Sequence, residues 1–224
     1  MFRSSRPSEE DLGVVLNLVC PTVTHEMNIR LLSSFTRVEV EVDLNQMASL
    51  KALEPDGLPA AFYQKFWDVG GADMSKAVLA VLNDYLSLGS IGDALVVLIP
   101  KVKVPSLVYE FKPINLYNIV YKLIAKVIAN MLKPILDSVI SKQQSAFVQR
   151  RLISDNIVGF ECLHTLRNKR RGDKGHIALK LDMSKAYDRV EWCFLQRIIG
   201  KLGFHETWVR KVLKCHFSFL FLSD

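Results

Sequence analysis

"LKLDMSKAYDRV", residues 179–190, decides how this chain is to be read. Together with the residues just before it, the stretch "HIALKLD" alternates, setting Ile177, Leu179 and Leu181 on one face of a short strand and Ala178, Lys180 and Asp182 on the other. Asp182 thus closes the strand on its more polar side. After the turn "MSKAY", Asp188 and Glu191 have capping-box spacing. Val190, Phe194, Leu195, Ile198, Ile199 and Leu202 then form an apolar stripe ending at Gly203, which predicts a helix. Asp188 therefore has a structural use as a cap, whereas Asp182 has none beyond forming a turn. A carboxylate at a strand end is a good ligand for Mg²⁺, which takes one or two carboxylates plus substrate phosphates and keeps several waters. Asp182 is the candidate metal ligand.

Working outward, "RNKRRGDKGH" places Arg167, Lys169, Arg170, Arg171 and Lys174 in a loop just before this strand. "SKQQSAFVQRRLISDNIV" turns a corner at Arg150 and Arg151 and leads into a helix through Leu166. The strongest helical repeat is Val120, Leu123, Ile124, Val127, Ile128, Met131 and Leu132, with Lys122, Lys126 and Lys133 on another face and Pro134 breaking the run or starting a second helix. "ALVVLIPKVK" reads as a strand stopped by Pro100, with Lys101 and Lys103 where its edge meets solvent. Further upstream, Thr36 and Glu39 match a capping box, "EPDGLPAAFYQKFW" supplies a turn, an aromatic cluster and a helix start, and a helix is expected from about Met74 to Leu88.

Composition narrows the class. With 224 residues, 50% hydrophobic and 23% charged, the chain has the makeup of a folded protein. Its net charge of +6 is unevenly spread: residues 1–98 carry 7 Lys and Arg against 13 Asp and Glu, and residues 99–224 carry 22 against 10. A basic half of this size fits a polyanion such as nucleic acid, or simply a solvated basic surface. The four cysteines lack the paired spacing of a zinc or redox site, so reduced thiols in a cytoplasmic or nuclear setting are expected. The sequence shows no secretory signal and no apolar run long enough to span a membrane.

Five ordered blocks, "PDGLPAAFYQKFW", "LIPKVK", "FKPINLYNIVYKLIAKVIANMLK", "QSAFVQRRLISDN" and "KLDMSKAYDRVEW", together resemble the reverse transcriptase of plant non-LTR (LINE-type) retrotransposons over roughly Phe35 to Lys214. The resemblance implies an α+β, helix-rich fold, the fingers and partial palm of a right-hand polymerase. An N-terminal helical or linker segment would cover residues 1–50, fingers with the start of the palm 51–175, and partial palm 176–224. It implies that Asp182 is the first catalytic, metal-binding aspartate, with the Met183 backbone carbonyl on the same Mg²⁺. Tyr187 would lie under the sugar of the incoming nucleotide, and Lys101, Lys112 and Arg151 would be nucleotide-binding. The partners implied are an RNA template, a DNA primer and deoxynucleoside triphosphates.

Four positions depart from the family pattern. Lys112 stands for arginine, Gln149 and Arg150 stand for Pro-Gly, and Glu54 stands for glycine before "PDG". Lysine keeps the charge but loses the planar fork that matches phosphate. The resemblance also implies a second carboxylate block, an aromatic followed one position later by two aspartates, and no adjacent pair of aspartates occurs here. The expectation is a reverse transcriptase fragment truncated after its first aspartate motif, which alone does not extend a primer. The alternative is a non-catalytic remnant that binds nucleic acid.

Overall fold

Side-chain caps define the first helices. The computed structural model describes residues 7–49, 57–84, 86–141, 144, 148, 151–152 and 189–217. In it α1 (Glu9–Leu16) starts at Ser8, whose hydroxyl accepts from the Asp11 amide at 3.1 Å, and α2 spans His25–Leu31. At α3 (Arg37–Asn45) the capping box is complete: Thr36 Oγ1 accepts from the Glu39 amide at 3.3 Å, and Glu39 Oε2 accepts from the Thr36 amide at 2.7 Å. The Glu39 amide is one of the donors that a helix start leaves without an internal partner. Thr36→Ala is therefore expected to cost about 1 kcal/mol, read as a lower urea midpoint with an unchanged m-value.

α4 (Ala60–Lys65) and α5 (Trp67–Leu82) follow Gly57 in the chain. The second of these was expected from Met74 to Leu88, and it starts and ends earlier. Gly70 and Gly71 are poor helix formers and hide its first turns in the sequence. Gly71 is nevertheless used, because a Cβ there would lie 2.5 Å from Cδ2 of the buried Trp67 ring. The helix stops where Asn83 leaves it: its side chain accepts from the Phe35 amide and donates to the Phe35 carbonyl, both at 2.9 Å.

The β-branched run forms β1 (Leu95–Pro100), which pairs antiparallel with β2 (Phe111–Leu116) in the register Leu95↔Leu116 to Pro100↔Phe111. Next comes α6 (Ile119–Val139), which continues through Pro134, against the expected break. Pro134 is exposed, while Leu123, Ile124, Val127 and Ile128 before it and Ile135 after it are buried. Burial on both sides offsets the hydrogen bond that proline removes.

α7 (Trp192–Lys201) starts at an extended Glu191 that makes no side-chain cap bond. The helix is thus shorter than its stripe, and Val190 lies exposed before it. Its C-terminus matches the expectation at Gly203, which has φ +96°. The Gly203 amide donates to the Gly200 carbonyl at 3.1 Å and the Phe204 amide to the Ile199 carbonyl at 3.4 Å, the paired closing bonds of a Schellman cap. A Cβ on Gly203 would also sit 3.1 Å from the Val23 carbonyl. α8 (Glu206–Phe217) buries Trp208, Val209 and Leu213.

The chain divides into two compact units, Met1–Asn28 with Leu132–His205 and Ile29–Met131 with Glu206–Asp224. Within the first, α1 packs on α7, and Arg197 grips Glu9 through two bonds of 2.6 and 2.7 Å. Asn28 ties in the Schellman cap, donating to the Gly203 carbonyl and accepting from the His205 amide, each at 2.8 Å. Within the second, α3 packs on α4 and α5, and Asn130 bonds the buried Asp43 and reaches Gln46 at 3.2 Å. The strand read at Ile177–Asp182, the basic loop Arg167–Lys174, the helix read up to Leu166 and the cap Asp188 lie outside the described residues.

Candidate nucleotide-binding site

The β1–β2 hairpin carries two of the residues singled out in the sequence. Lys112 pairs with Ile99, and Lys101 follows Pro100, the partner of Phe111. The two lysines thus lie two rungs apart, about 7 Å along the strands. Both are exposed, as is Lys103. Lys101 is also fixed in place: its amide donates to the Glu110 carbonyl at 2.7 Å and its Nζ to the Tyr109 carbonyl at 2.9 Å.

The loop between the strands is organised by Glu110. Its carboxylate accepts from the Ser106 amide at 2.7 Å and the Leu107 amide at 2.9 Å. These bonds, with Leu107 the larger influence, hold the carboxyl below the usual carboxylate range. Every residue of β1 is exposed, Leu95 by 53% and Leu98 by 57%, so the hairpin stands out with its cations around an apolar ribbon.

Arg151 belongs to the unit that contains Leu132–His205, and its side chain is only 13% exposed. Its guanidinium forms an ion pair with Asp137 at 3.1 Å and bonds the carbonyls at the C-terminus of α6. Asp182, Met183 and Tyr187 lie outside the described residues. Among the described residues no three His, Cys, Asp or Glu side chains come together as a metal site.

Two cavities escaped the sequence reading. One of about 500 Å³ is lined by Phe62, Tyr63, Phe66, Trp67 and Val120, and Phe62 packs on Phe66 at 5.0 Å between centroids. The other, of about 410 Å³, is lined by Gln46, Met47, Pro59, Ile119, Lys122 and Lys126. Lys122 and Lys126, expected on a face of α6 away from its apolar stripe, are half-buried. The i, i+4 spacing that puts them on one side of α6 was the available signal. Close by in sequence, Tyr117 stacks on Tyr121 at 4.4 Å, and burial pushes its phenol up, away from ionisation.

No helix among the described residues is long and apolar enough to cross a membrane. The family model described as reverse transcriptase (RNA-dependent DNA polymerase) matches residues 99–222. That stretch contains all six of the residues singled out, Lys101, Lys112, Arg151, Asp182, Met183 and Tyr187. The chain is also similar to the "Transposon TX1 uncharacterized 149 kDa protein" of Xenopus laevis, at 33% identity over 182 residues. That alignment covers 81% of this chain and 14% of the relative, so the chain spans a small part of the relative's length.

Proposed function

Because the chain belongs to the reverse transcriptase (RNA-dependent DNA polymerase) family, we propose that it forms the fingers and the front of the palm of a non-LTR retrotransposon polymerase of the plant LINE type. Residues 51–175 are the fingers in this reading and the palm starts at 176. Its partners are an RNA template, a DNA primer and deoxynucleoside triphosphates. The observation that carries the reading is the hairpin: two exposed lysines two rungs apart, one braced by the Tyr109 carbonyl, inside the stretch that matches the family.

Each residue has a distinct task. Lys101 and Lys112 offer point charges to the triphosphate or to a phosphate of the template backbone. Tyr187 would lie beneath the sugar, and Asp182 with the Met183 carbonyl would hold the protein's half of the metal seat. The sequence holds no adjacent aspartate pair to complete that seat, and phosphoryl transfer between two metal ions needs both halves. The chain alone therefore binds primer and template and does not join nucleotides.

Fluorescence anisotropy of a labelled RNA–DNA primer–template tests the binding half of this reading. Binding should weaken steeply with salt and be unaffected by Asp182→Asn, because it rests on phosphate contacts. Salt-independent association, or none at low salt, would remove the nucleic-acid reading altogether.

A further inference from the structure

We propose that Arg151 is a positioning residue: its guanidinium clasps the C-terminal end of α6 and holds the Ser141 and Gln144 carbonyls that follow it. The donors show it. A guanidinium has five N–H groups and no acceptor. Nη1 donates to the Ser141 carbonyl at 2.5 Å and the Gln144 carbonyl at 2.7 Å. Nη2 donates to the Ile140 carbonyl at 3.1 Å and Asp137 Oδ1 at 3.1 Å, with the Asp137 carbonyl at 3.5 Å. Nε donates to Asp137 Oδ1 at 3.3 Å. Every donor has an internal acceptor.

The acceptors explain why an arginine is needed. The last carbonyls of a helix have no internal donor, and they carry the negative end of its dipole. α6 is 21 residues long and has no basic side chain in its last turn. Arg151, later in the chain, supplies the cation and donors that the helix lacks locally, and its amide donates to the Val148 carbonyl at 3.4 Å. A lysine has three donors around one point and cannot span acceptors on four residues.

The consequence concerns the nucleotide. A triphosphate could recruit Arg151 only by displacing the clasp, so of the three basic residues singled out for nucleotide, Lys101 and Lys112 are left to meet phosphate. The clasp itself stands on this geometry alone and does not depend on the polymerase reading.

Arg151→Ala, Arg151→Lys and the milder Asp137→Asn, each in the full chain, separate the two roles. The readouts are the urea midpoint, amide hydrogen exchange in the last turn of α6, and titration with a deoxynucleoside triphosphate. A clasp predicts that exchange at Val139 and Ile140 rises roughly tenfold in Arg151→Ala. Arg151→Lys should recover less than half of the lost midpoint, and Asp137→Asn should give a smaller rise in exchange. Triphosphate affinity should stay within about twofold of the parent, since no phosphate contact is lost. If Arg151→Ala fails to fold, the Asp137→Asn exchange pattern decides. Unchanged exchange in Arg151→Ala or Asp137→Asn, full rescue by lysine, or a tenfold loss of triphosphate affinity at an unchanged midpoint would each overturn the assignment.

Discussion

Trp208→Ala should destabilise the unit formed by Ile29–Met131 and Glu206–Asp224 by about 3–5 kcal/mol. Trp208 is 1% exposed on α8, flanked by the buried Val209. One turn on, Lys211 is 6% exposed and holds its Nζ 4.6 Å from the ring centroid of the buried Phe35. That contact ties α8 to Phe35, since a desolvated ammonium over an aromatic face is attracted by it. Removing the indole leaves a cavity that rigid neighbours fill incompletely, and the loss is a large share of a domain's usual 5–15 kcal/mol. Urea unfolding checks it, with Val69→Ala as control. Val69 is 82% exposed, so its truncation should stay within about 0.5 kcal/mol. Equal midpoints for the two variants would mean that α8 does not belong to this core.

Lys101→Ala combined with Lys112→Ala should lower the slope of log affinity for a primer–template against log salt by about two. Each phosphate neutralised releases counterions, and each cation removed takes its share of that release with it. The hairpin should survive the change. Both side chains are exposed, and the strand register rests on backbone bonds from Leu95↔Leu116 to Pro100↔Phe111. Lys101→Ala also removes the bond to the Tyr109 carbonyl, so Lys112→Ala alone is the cleaner single variant. An unchanged slope in the double variant would move the nucleic-acid surface away from the hairpin.

Local chemistry was legible in the sequence, and tertiary compensation was not. The Thr36–Glu39 box, the strand stopped at Pro100 and the left-handed Gly203 each depend on a few neighbouring residues. The run of α6 through Pro134 depends on burial at Ile135, and the early start of α5 on Gly71 fitting against Trp67. Neither leaves a periodic mark. At the candidate site, Lys101 could be placed at a strand edge because a β-branched run and Pro100 mark β1, whereas the second strand, which carries Lys112, was not read from the sequence. The clasp of Arg151 gathers carbonyls from Asp137, Ile140, Ser141 and Gln144, and backbone acceptors have no residue type to read.

Primer extension on an RNA template with Mg²⁺ and deoxynucleoside triphosphates, comparing the parent chain with Asp182→Asn, tests the proposed role most directly. Neither protein should add a nucleotide, while both bind the primer–template with the same salt dependence. Template-directed incorporation by the parent that Asp182→Asn abolishes would contradict this, and would mean that the chain completes a metal site without an adjacent aspartate pair.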